Sequence, residues 1–321
     1  MSLSALPNEV LLHISANITE QAVLKNFIYS NKRIYELGID SLYQIDIQSG
    51  RNLAVLQASQ RGQDTIMRRL LRLGADISIK ILRKREVGAW REEKFTTALH
   101  EAAKNGHLTT LKLLLESGAN TLTADPFGKL PIFHAIAFSH VEAALMLLEV
   151  QPRPAGSATV CEEPCATFMS ALHLASLFGA VEVVQYLLQR GEAVDVLDTH
   201  EVISSTSRRG VVRGDPRPAR ARKTSLAYAL GSLPWAVVPD LEELGIVVPT
   251  QGAERSRRRE VVRLLLEAGA DVRHRVAEER SGKFTLRLLG QTHPDPGVRK
   301  LFEDTVDDSQ AVSKKGARRN R

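Results

Sequence analysis

Cysteine is scarce in this chain, because only Cys161 and Cys165 occur among its 321 residues. Two cysteines cannot form the disulfide framework of a small secreted domain. Long hydrophobic runs are missing as well: the most apolar stretch, 226–248, holds Pro234, Pro239 and three acidic residues, which exclude a membrane-spanning helix. The opening residues, MSLSALPNEV, have no basic segment before an apolar core, so we expect no secretory leader. These absences predict a reducing setting, cytoplasmic or nuclear.

Catalytic and cofactor-binding motifs are also missing. The sequence has no Gly-x-Ser-x-Gly nucleophile elbow, no Gly-x-x-x-x-Gly-Lys phosphate loop and no Gly-x-Gly-x-x-Gly fingerprint. Cys161 and Cys165 have no matching pair of soft ligands elsewhere, so a zinc site is not predicted. The paired carboxylates Glu162-Glu163 and Glu242-Glu243 are interpreted as solvated loop charge. We therefore expect no catalysis, no cofactor, no metal and no small-molecule substrate.

The formal charge of +6 is modest for the length of the chain. Much of the basic charge lies in three clusters, at 208–223, 255–259 and 314–321. Their open interpretations are solvated loops, nuclear-import signals or contacts to phosphate-rich partners. Aromatic residues that could stack on bases do not interleave these clusters, so binding to nucleic acid is not favoured.

One motif recurs through most of the chain. Its best copy, TTALHEAAKNGHLTTLKLLLESGAN at 96–120, predicts two short antiparallel helices. Gly106 supplies the left-handed turn between them, and Gly118 ends the second helix. A unit of this size cannot bury its own apolar face, so it needs stacked copies. Complete or partial copies lie at 65–77, 130–150, 170–195 and 258–272.

This motif resembles the ankyrin repeat. The resemblance implies an all-α solenoid of about six stacked helix-turn-helix units over residues 51–306, with a charged connector at 81–95. We expect insertions near 151–169, 200–223 and 235–257, and a mobile basic tail at 307–321. The resemblance also implies protein partners, rather than small molecules, membranes or nucleic acid.

Three histidines, His100, His134 and His173, are interpreted as one recurring position of the repeat. The resemblance implies that this histidine hydrogen-bonds to the Thr or Ser three residues earlier and to the neighbouring repeat's turn. The three histidines are therefore expected to be structural residues and not metal ligands. Ser139 stands where the glycine between the two helices is expected, and a left-handed conformation there costs about 1 kcal/mol.

Residues 3–45 do not fit the repeat and predict three short helices. The first has Pro7 in its first turn and is broken by Asn17 and Thr19, and the others cover Ala22 to Tyr29 and Ile34 to Leu37. A second resemblance rests on Leu6-Pro7, Glu9-Val10-Leu11, Ile14, Leu24, Phe27, Asn31-Lys32-Arg33 and Leu37. These residues resemble an F-box, in a combination with ankyrin repeats that is common in filamentous fungi. The resemblance implies docking on the Skp adaptor of a Skp–cullin–F-box ubiquitin ligase through Leu6, Pro7, Val10, Leu11 and Ile14. The alternative is that these side chains cap the first repeat.

The sequence thus predicts a non-catalytic interaction protein. By resemblance, the N-terminal module would recruit a ubiquitin ligase while the ankyrin surface holds the substrate. The alternative is an ankyrin scaffold or nuclear regulatory protein with no link to a ligase. On the ankyrin surface, we expect partner contacts from side chains that are exposed in the best-formed unit or at its turn tip: Glu101, Lys104, Asn105, Asp125, Phe127 and Lys129. An aromatic residue such as Phe127 is a typical interface anchor.

Overall fold

The computed structural model of the chain describes residues 6–18, 21–50, 52–78, 81–87, 90–151, 167–197, 199–200, 223–231, 253–278 and 282–303. These residues belong to two compact units, Met1–Asn120 and Thr121–Arg321. Most of the predicted insertions and the predicted tail lie outside the described residues, at 152–166, 201–222, 232–252 and 304–321.

Three helices open the first unit: α1 (Asn8–Asn17), α2 (Gln21–Tyr29) and α3 (Lys32–Gln48). The third helix is much longer than the predicted segment, which stops before Gly38. That glycine is buried inside α3, where an added Cβ would lie 2.8 Å from Cγ1 of Ile28 on α2. Gly38 therefore permits a close approach of the two helices, and it does not end α3.

The core of this helical module is apolar, and α3 also joins it to the first repeat. The buried side chains of this core are Leu11, Leu24, Ile28, Ile34 and Ile39. The first repeat follows as α4 (Leu53–Arg61) and α5 (Asp64–Arg72). Asp46 on α3 accepts the N–H of Ala54 at 2.9 Å, and Asp40 on α3 pairs with Arg69 on α5. The module and the first repeat are thus connected by carboxylates of a single helix.

A β-hairpin lies in the stretch that the sequence analysis describes only as a charged connector. Strand β1 (Ile81–Val87) pairs antiparallel with β2 (Trp90–Thr96), with Ile81 opposite Thr96 and Val87 opposite Trp90. The repeats are helical, as the sequence analysis expects, and this hairpin is an addition in the connector between α5 and the next repeat. Strand-forming residues occur at both ends of the stretch, and a Gly in the sequence between the strands suits a tight turn. The many charged residues in this stretch make its strand-forming residues difficult to recognise from the sequence.

The second repeat of the first unit has the predicted form. It consists of α6 (Ala98–Lys104) and α7 (Leu108–Glu116). The turn glycines Gly106 and Gly118 have φ of +66° and +85°, as the motif requires. The hydroxyl of Thr97 accepts the N–H of His100 and so caps the start of α6.

The second unit begins with α8 (Pro131–Ala137), α9 (Val141–Val150), α10 (Ala171–Phe178) and α11 (Val181–Gln189). It continues with α12 (Ser225–Ala229), α13 (Ala253–Glu267), α14 (Leu286–Gln291) and a final helical stretch at 296–303. Two short antiparallel ladders, which the sequence analysis does not predict, lie between the helices: β3 (Thr167–Phe168) with β4 (Thr199–His200), and β5 (Arg275–Glu278) with β6 (Gly282–Thr285). The helical repeats therefore carry small β-ladders in their connections.

Hydroxyl caps mark the first helices of three repeats in the second unit. Ser170, Thr224 and Thr285 each accept the backbone N–H of the residue three positions later. The capping pattern is the same as that of Thr97 in the first unit. Leu130 occupies the corresponding cap of α8 and has no side-chain acceptor. This difference explains why the unit at 130–150 matches the motif less closely.

The turn between α8 and α9 contains the predicted non-glycine residue in a left-handed conformation, since Ser139 has a φ of +61°. We expect Ser139→Gly to raise the free energy of unfolding by about 1 kcal/mol, because glycine has no Cβ to clash in this conformation. Thermal or denaturant unfolding of the intact chain measures the change. The matched control is Gly179→Ser, at the equivalent turn of the next repeat with a φ of +68°, which should lower stability by a similar amount. A stabilising effect of Gly179→Ser would contradict the argument.

Candidate partner-binding surfaces

The predicted docking residues on α1 do not all share one environment. Leu11 is only 2% exposed and belongs to the module's own core, so its assignment to an accessible face is wrong. Val10 is 42% exposed, Pro7 is exposed at the N-cap, and Leu6 and Ile14 are half-buried. Val10 and Ile14 are four residues apart on α1, so they lie on one side of the helix, and Leu6 precedes its N-cap. Together these three side chains are called the apolar row. This apolar row is the accessible part of the predicted face.

The best-formed repeat exposes fewer of the predicted contact residues than expected. Glu101 is 8% exposed, and its carboxylate accepts a hydrogen bond from the Gln60 amide at 3.1 Å. The expectation that Glu101 is exposed is therefore wrong, because its partner lies in the preceding repeat. Asn105 is exposed and Lys104 is half-buried, so both residues reach the surface.

In the turn at 125–129, the side chains of Asp125 and Lys129 are buried and not exposed at a turn tip. Asp125 is 6% exposed, and its Oδ1 accepts the N–H groups of Phe127 and Lys129, both at 2.9 Å. Lys129 is 1% exposed, with Nζ 4.9 Å from the ring centroid of Phe133. The expected exposure of Asp125 and Lys129 is wrong, because the carboxylate satisfies the turn's own N–H donors and the cation contacts an aromatic face. Phe127 is half-buried.

The recurring histidine position is occupied by histidine in two of the three predicted cases. His100 and His173 each lie three residues after their cap, with Nδ1 at 2.8 Å from the Thr97 hydroxyl and 2.6 Å from the Ser170 hydroxyl. Phe133 lies three residues after the cap Leu130, so His134 is one position later and its assignment is wrong. Its Nε2 lies 3.0 Å from Asp125 Oδ2. If the repeat is counted back from the turn at Ser139, as from the turn glycines of the other two repeats, the recurring position falls on Phe133 and not on His134.

His173 has a defined tautomer. Its Nδ1 accepts the backbone N–H of Ser170 at 3.2 Å, and its Nε2 faces the carbonyl oxygens of Val196 and Lys223 at 2.9 and 3.1 Å. A backbone N–H can only donate and a carbonyl can only accept, so the proton lies on Nε2. This histidine is a buried connector between three chain segments, and its geometry is not that of a metal ligand.

The basic cluster at 255–259 belongs to a helix, although the sequence predicts that an insertion extends through residue 257. Helix α13 begins at Ala253. Arg259 makes two hydrogen bonds of 2.9 and 3.0 Å to the carboxylate of Asp295, and Arg258 donates to the carbonyl oxygen of Leu177 at 3.3 Å. These contacts support a structural role for two members of the cluster. The clusters at 208–222 and 314–321 lie outside the described residues.

A cleft between α3 and α5 was not found from the sequence. Its volume is about 430 Å³, and it is lined by Asp40, Thr65, Arg69, Arg72 and Leu73. The signal in the sequence is the spacing of Thr65, Arg69 and Arg72 at i, i+4 and i+7, which places them on one face of α5. This polar face is not part of the leucine and glycine pattern that defines the repeat.

The described parts of the chain contain neither a metal-ligand cluster nor a helix suited to crossing a bilayer. Within those parts, no group of three or more His, Cys, Asp or Glu side chains is placed to hold a metal ion. Cys161 and Cys165 lie outside them. Among the helices of the described residues, none combines the length and apolar character that a bilayer crossing requires.

Comparison with known proteins agrees with the repeat geometry. A family model described as ankyrin repeats, in three copies, matches residues 55–158 and residues 99–199. The chain therefore contains ankyrin repeats, which confirms this part of the sequence analysis. The ankyrin fold is typical of non-enzymatic scaffolds that bind other proteins. The F-box resemblance of the N-terminal module is not among these matches.

Individual proteins resemble this chain over parts of its length. The transient receptor potential cation channel subfamily A member 1 of Drosophila melanogaster is 26% identical over 115 residues, which are 36% of this chain and 9% of the channel. Its homolog in Caenorhabditis elegans is 28% identical over 152 residues, 47% of this chain and 11% of that protein. An ankyrin repeat domain from Acinetobacter baumannii has a TM-score of 0.50 at 18% identity, covering 77% of this chain and 95% of that domain. This chain spans about a tenth of the length of the two animal relatives, and the bacterial domain shares its fold.

Proposed function

We propose that this chain is a non-catalytic adaptor that binds two proteins. Its ankyrin repeats hold one protein, and its N-terminal helical module docks on the Skp adaptor of a Skp–cullin–F-box ubiquitin ligase. The first half of the proposal rests on the repeats themselves, which imply protein–protein interaction. The second half rests on the resemblance of residues 3–45 to an F-box and on the surface that α1 presents.

The observation that carries the docking proposal is the apolar row on α1. Leu11 and Leu24 fill the module's core, whereas Val10 leaves 42% of its surface exposed. The module therefore folds without burying all of the row formed by Leu6, Val10 and Ile14. An apolar row of this kind is suited to burial against a partner helix.

On the ankyrin side, the side chains that support partner contact are those still at the surface. Asn105 is exposed, and Lys104 and Phe127 are half-buried. Asn105 and Lys104 lie at the end of α6, where repeat proteins display variable side chains. Phe127 offers an aromatic contact in its own unit. Glu101, Asp125 and Lys129 have structural partners and are removed from the proposed contact set.

The test of the docking proposal uses two substitutions on the same helix. Val10→Asp should weaken capture of a purified Skp adaptor by the intact chain at least about tenfold, because it places a charge in the apolar row. Leu12→Asp is the matched control: Leu12 is also 42% exposed, but it lies about 200° around the helix from Val10. Leu11→Asp is unsuitable because Leu11 is buried, so its loss of binding could reflect unfolding.

Circular dichroism should show unchanged helix content for both variants. Capture lost in Val10→Asp and kept in Leu12→Asp supports docking through the row. If the two variants weaken capture equally, docking does not use the row. If the intact chain captures no Skp adaptor, the ligase link is wrong. The remaining function is then an ankyrin scaffold or nuclear regulatory protein without that link.

A further inference from the structure

The cleft between α3 and α5 is lined mainly by polar and charged side chains. Thr65, Arg69 and Arg72 lie on one face of α5, and Asp40 of α3 forms the opposite wall. Leu73 adds a small apolar patch. At about 430 Å³, the cleft is within the size range of small-molecule sites. Its donors are two guanidinium groups and one hydroxyl.

One of the two guanidinium groups is fixed in position. Arg69 pairs with Asp40, and its Nη2 also donates to the carbonyl oxygen of Glu36 at 3.2 Å. The hydrogen bond to Asp40 raises the pKa of Arg69, so the group stays charged. Burial raises the pKa of the neighbouring Tyr43 to about 12, helped by Tyr35 and Tyr29, so its phenol adds no negative charge at neutral pH.

The other guanidinium group is available. Arg72 is exposed, and among the residues that the structure describes it has neither a hydrogen-bond nor an ion-pair partner. Thr65 is exposed too, and its hydroxyl has no partner within the same described residues. Since Asp40 is neutralised by Arg69, the lining carries a net charge of about +1. An unpaired arginine beside a free hydroxyl and a second, positioned arginine is an arrangement that favours an oxyanion.

We propose that this cleft binds a phosphate monoester group, with Arg72 and Thr65 as direct ligands and Arg69 as the second cation. A phosphate monoester has three terminal oxygens and close to two negative charges at neutral pH, so it can use two guanidinium groups and a hydroxyl at once. A carboxylate has only two oxygens and one charge. The ester could belong to a small metabolite or to a phosphorylated side chain of a bound protein, and the shared chemistry is the phosphoryl group.

The experiment measures binding to the intact chain by isothermal titration calorimetry. The probes are inorganic phosphate, glycerol 2-phosphate, a short phosphothreonine peptide, its unphosphorylated form and acetate. Both phosphate esters should bind more tightly than acetate, and the unphosphorylated peptide should not bind. Tighter binding of the peptide than of glycerol 2-phosphate assigns the ester to a protein partner, and the reverse assigns it to a metabolite.

Two variants test the residues, and a third is the control. Arg72→Gln should raise the Kd for glycerol 2-phosphate about tenfold, and Thr65→Val about threefold. Arg68→Gln removes an exposed arginine of the same helix that does not line the cleft, so it should change the Kd less than twofold. Equal affinity for acetate and phosphate, no binding of either ester, or equal effects of Arg72→Gln and Arg68→Gln would overturn the proposal. No Skp adaptor is used, so the result is independent of the docking proposal.

Discussion

Replacing His173 by alanine is expected to lower the free energy of unfolding of the second unit by about 3 kcal/mol. The side chain is fully buried, and its Nε2 is the donor to two carbonyl oxygens, those of Val196 and Lys223. Its removal leaves both acceptors and the Ser170 hydroxyl without this partner. It also removes the edge-to-face contact with Tyr228, whose ring centroid lies 5.4 Å away. Urea unfolding of the intact chain, followed by circular dichroism, measures the loss.

The control for this prediction is His140→Ala in the same unit. His140 is half-buried, and among the described residues its side chain has no hydrogen-bond partner. The stability change should stay within about 0.5 kcal/mol. If the two alanine variants lose the same amount of stability, the hydrogen bonds of His173 do not have the role assigned to them.

Replacing Asp295 by alanine is expected to cost about 2 kcal/mol at neutral pH. The carboxylate is 7% exposed and accepts from the Arg259 guanidinium and from the N–H of Gly297 at 2.8 Å. The loss leaves both donors unpaired and loosens the last helical stretch from α13. The matched control is Glu260→Ala on α13, which breaks an exposed ion pair with Arg263 and should cause no measurable loss.

The contact between Asp295 and Arg259 also predicts that the folded chain loses stability in acid. Burial by itself would raise the pKa of Asp295, but the Arg259 hydrogen bond, the Gly297 N–H and the nearby charges outweigh it and hold the pKa below its ordinary value of 3.8. A carboxyl whose pKa is lower in the folded state stabilises the fold above the unfolded pKa, and this stabilisation is lost as the pH falls through the folded pKa. The Asp295 contribution is therefore lost below about pH 3.8.

Protonation of His293 also lowers the stability of the fold as the pH falls, but in a higher pH range. Burial lowers its pKa below the ordinary 6.5, although Asp295 opposes the shift. The unfolded chain therefore takes up the proton more readily, and stability decreases as the pH falls below about 6.5. Urea midpoints between neutral pH and pH 3 should show both losses. His293→Gln should remove the upper one, and an unchanged upper loss in that variant would contradict its assignment to His293.

Local signals explain which parts of the fold could be predicted. A hydroxyl cap, a run of leucines and a turn glycine lie within one repeat, so the sequence predicts α6, α7, α10 and α11 well. The error at His134 has a local cause. Leu130 replaces the hydroxyl cap, which leaves the turn at Ser139 as the reliable marker. The hairpin of β1 and β2 was not predicted because charged residues occupy the middle of each strand and outnumber the strand-forming residues at the strand ends.

Burial of polar side chains could not be predicted, because it depends on residues distant in the chain. Glu101 is hidden by Gln60, which lies 41 positions earlier, and no spacing rule connects the two. The cleft depends in the same way on Asp40 and Arg69, which are 29 positions apart. The candidate sites are therefore only partly accessible from sequence: spacing places Arg69 and Arg72 on one face of α5, whereas the opposite wall formed by Asp40 needs the folded chain.

The hydrogen bond from Arg258 to Leu177 bridges 81 positions of sequence, and this separation has a kinetic consequence. Closing a flexible chain of that length costs roughly 4 kcal/mol of entropy. The end of α10 therefore obtains its donor only after α13 has been synthesised and has docked. During synthesis, α10 and α11 leave the ribosome well before that partner, so we expect the second unit to fold late and in one step with α13.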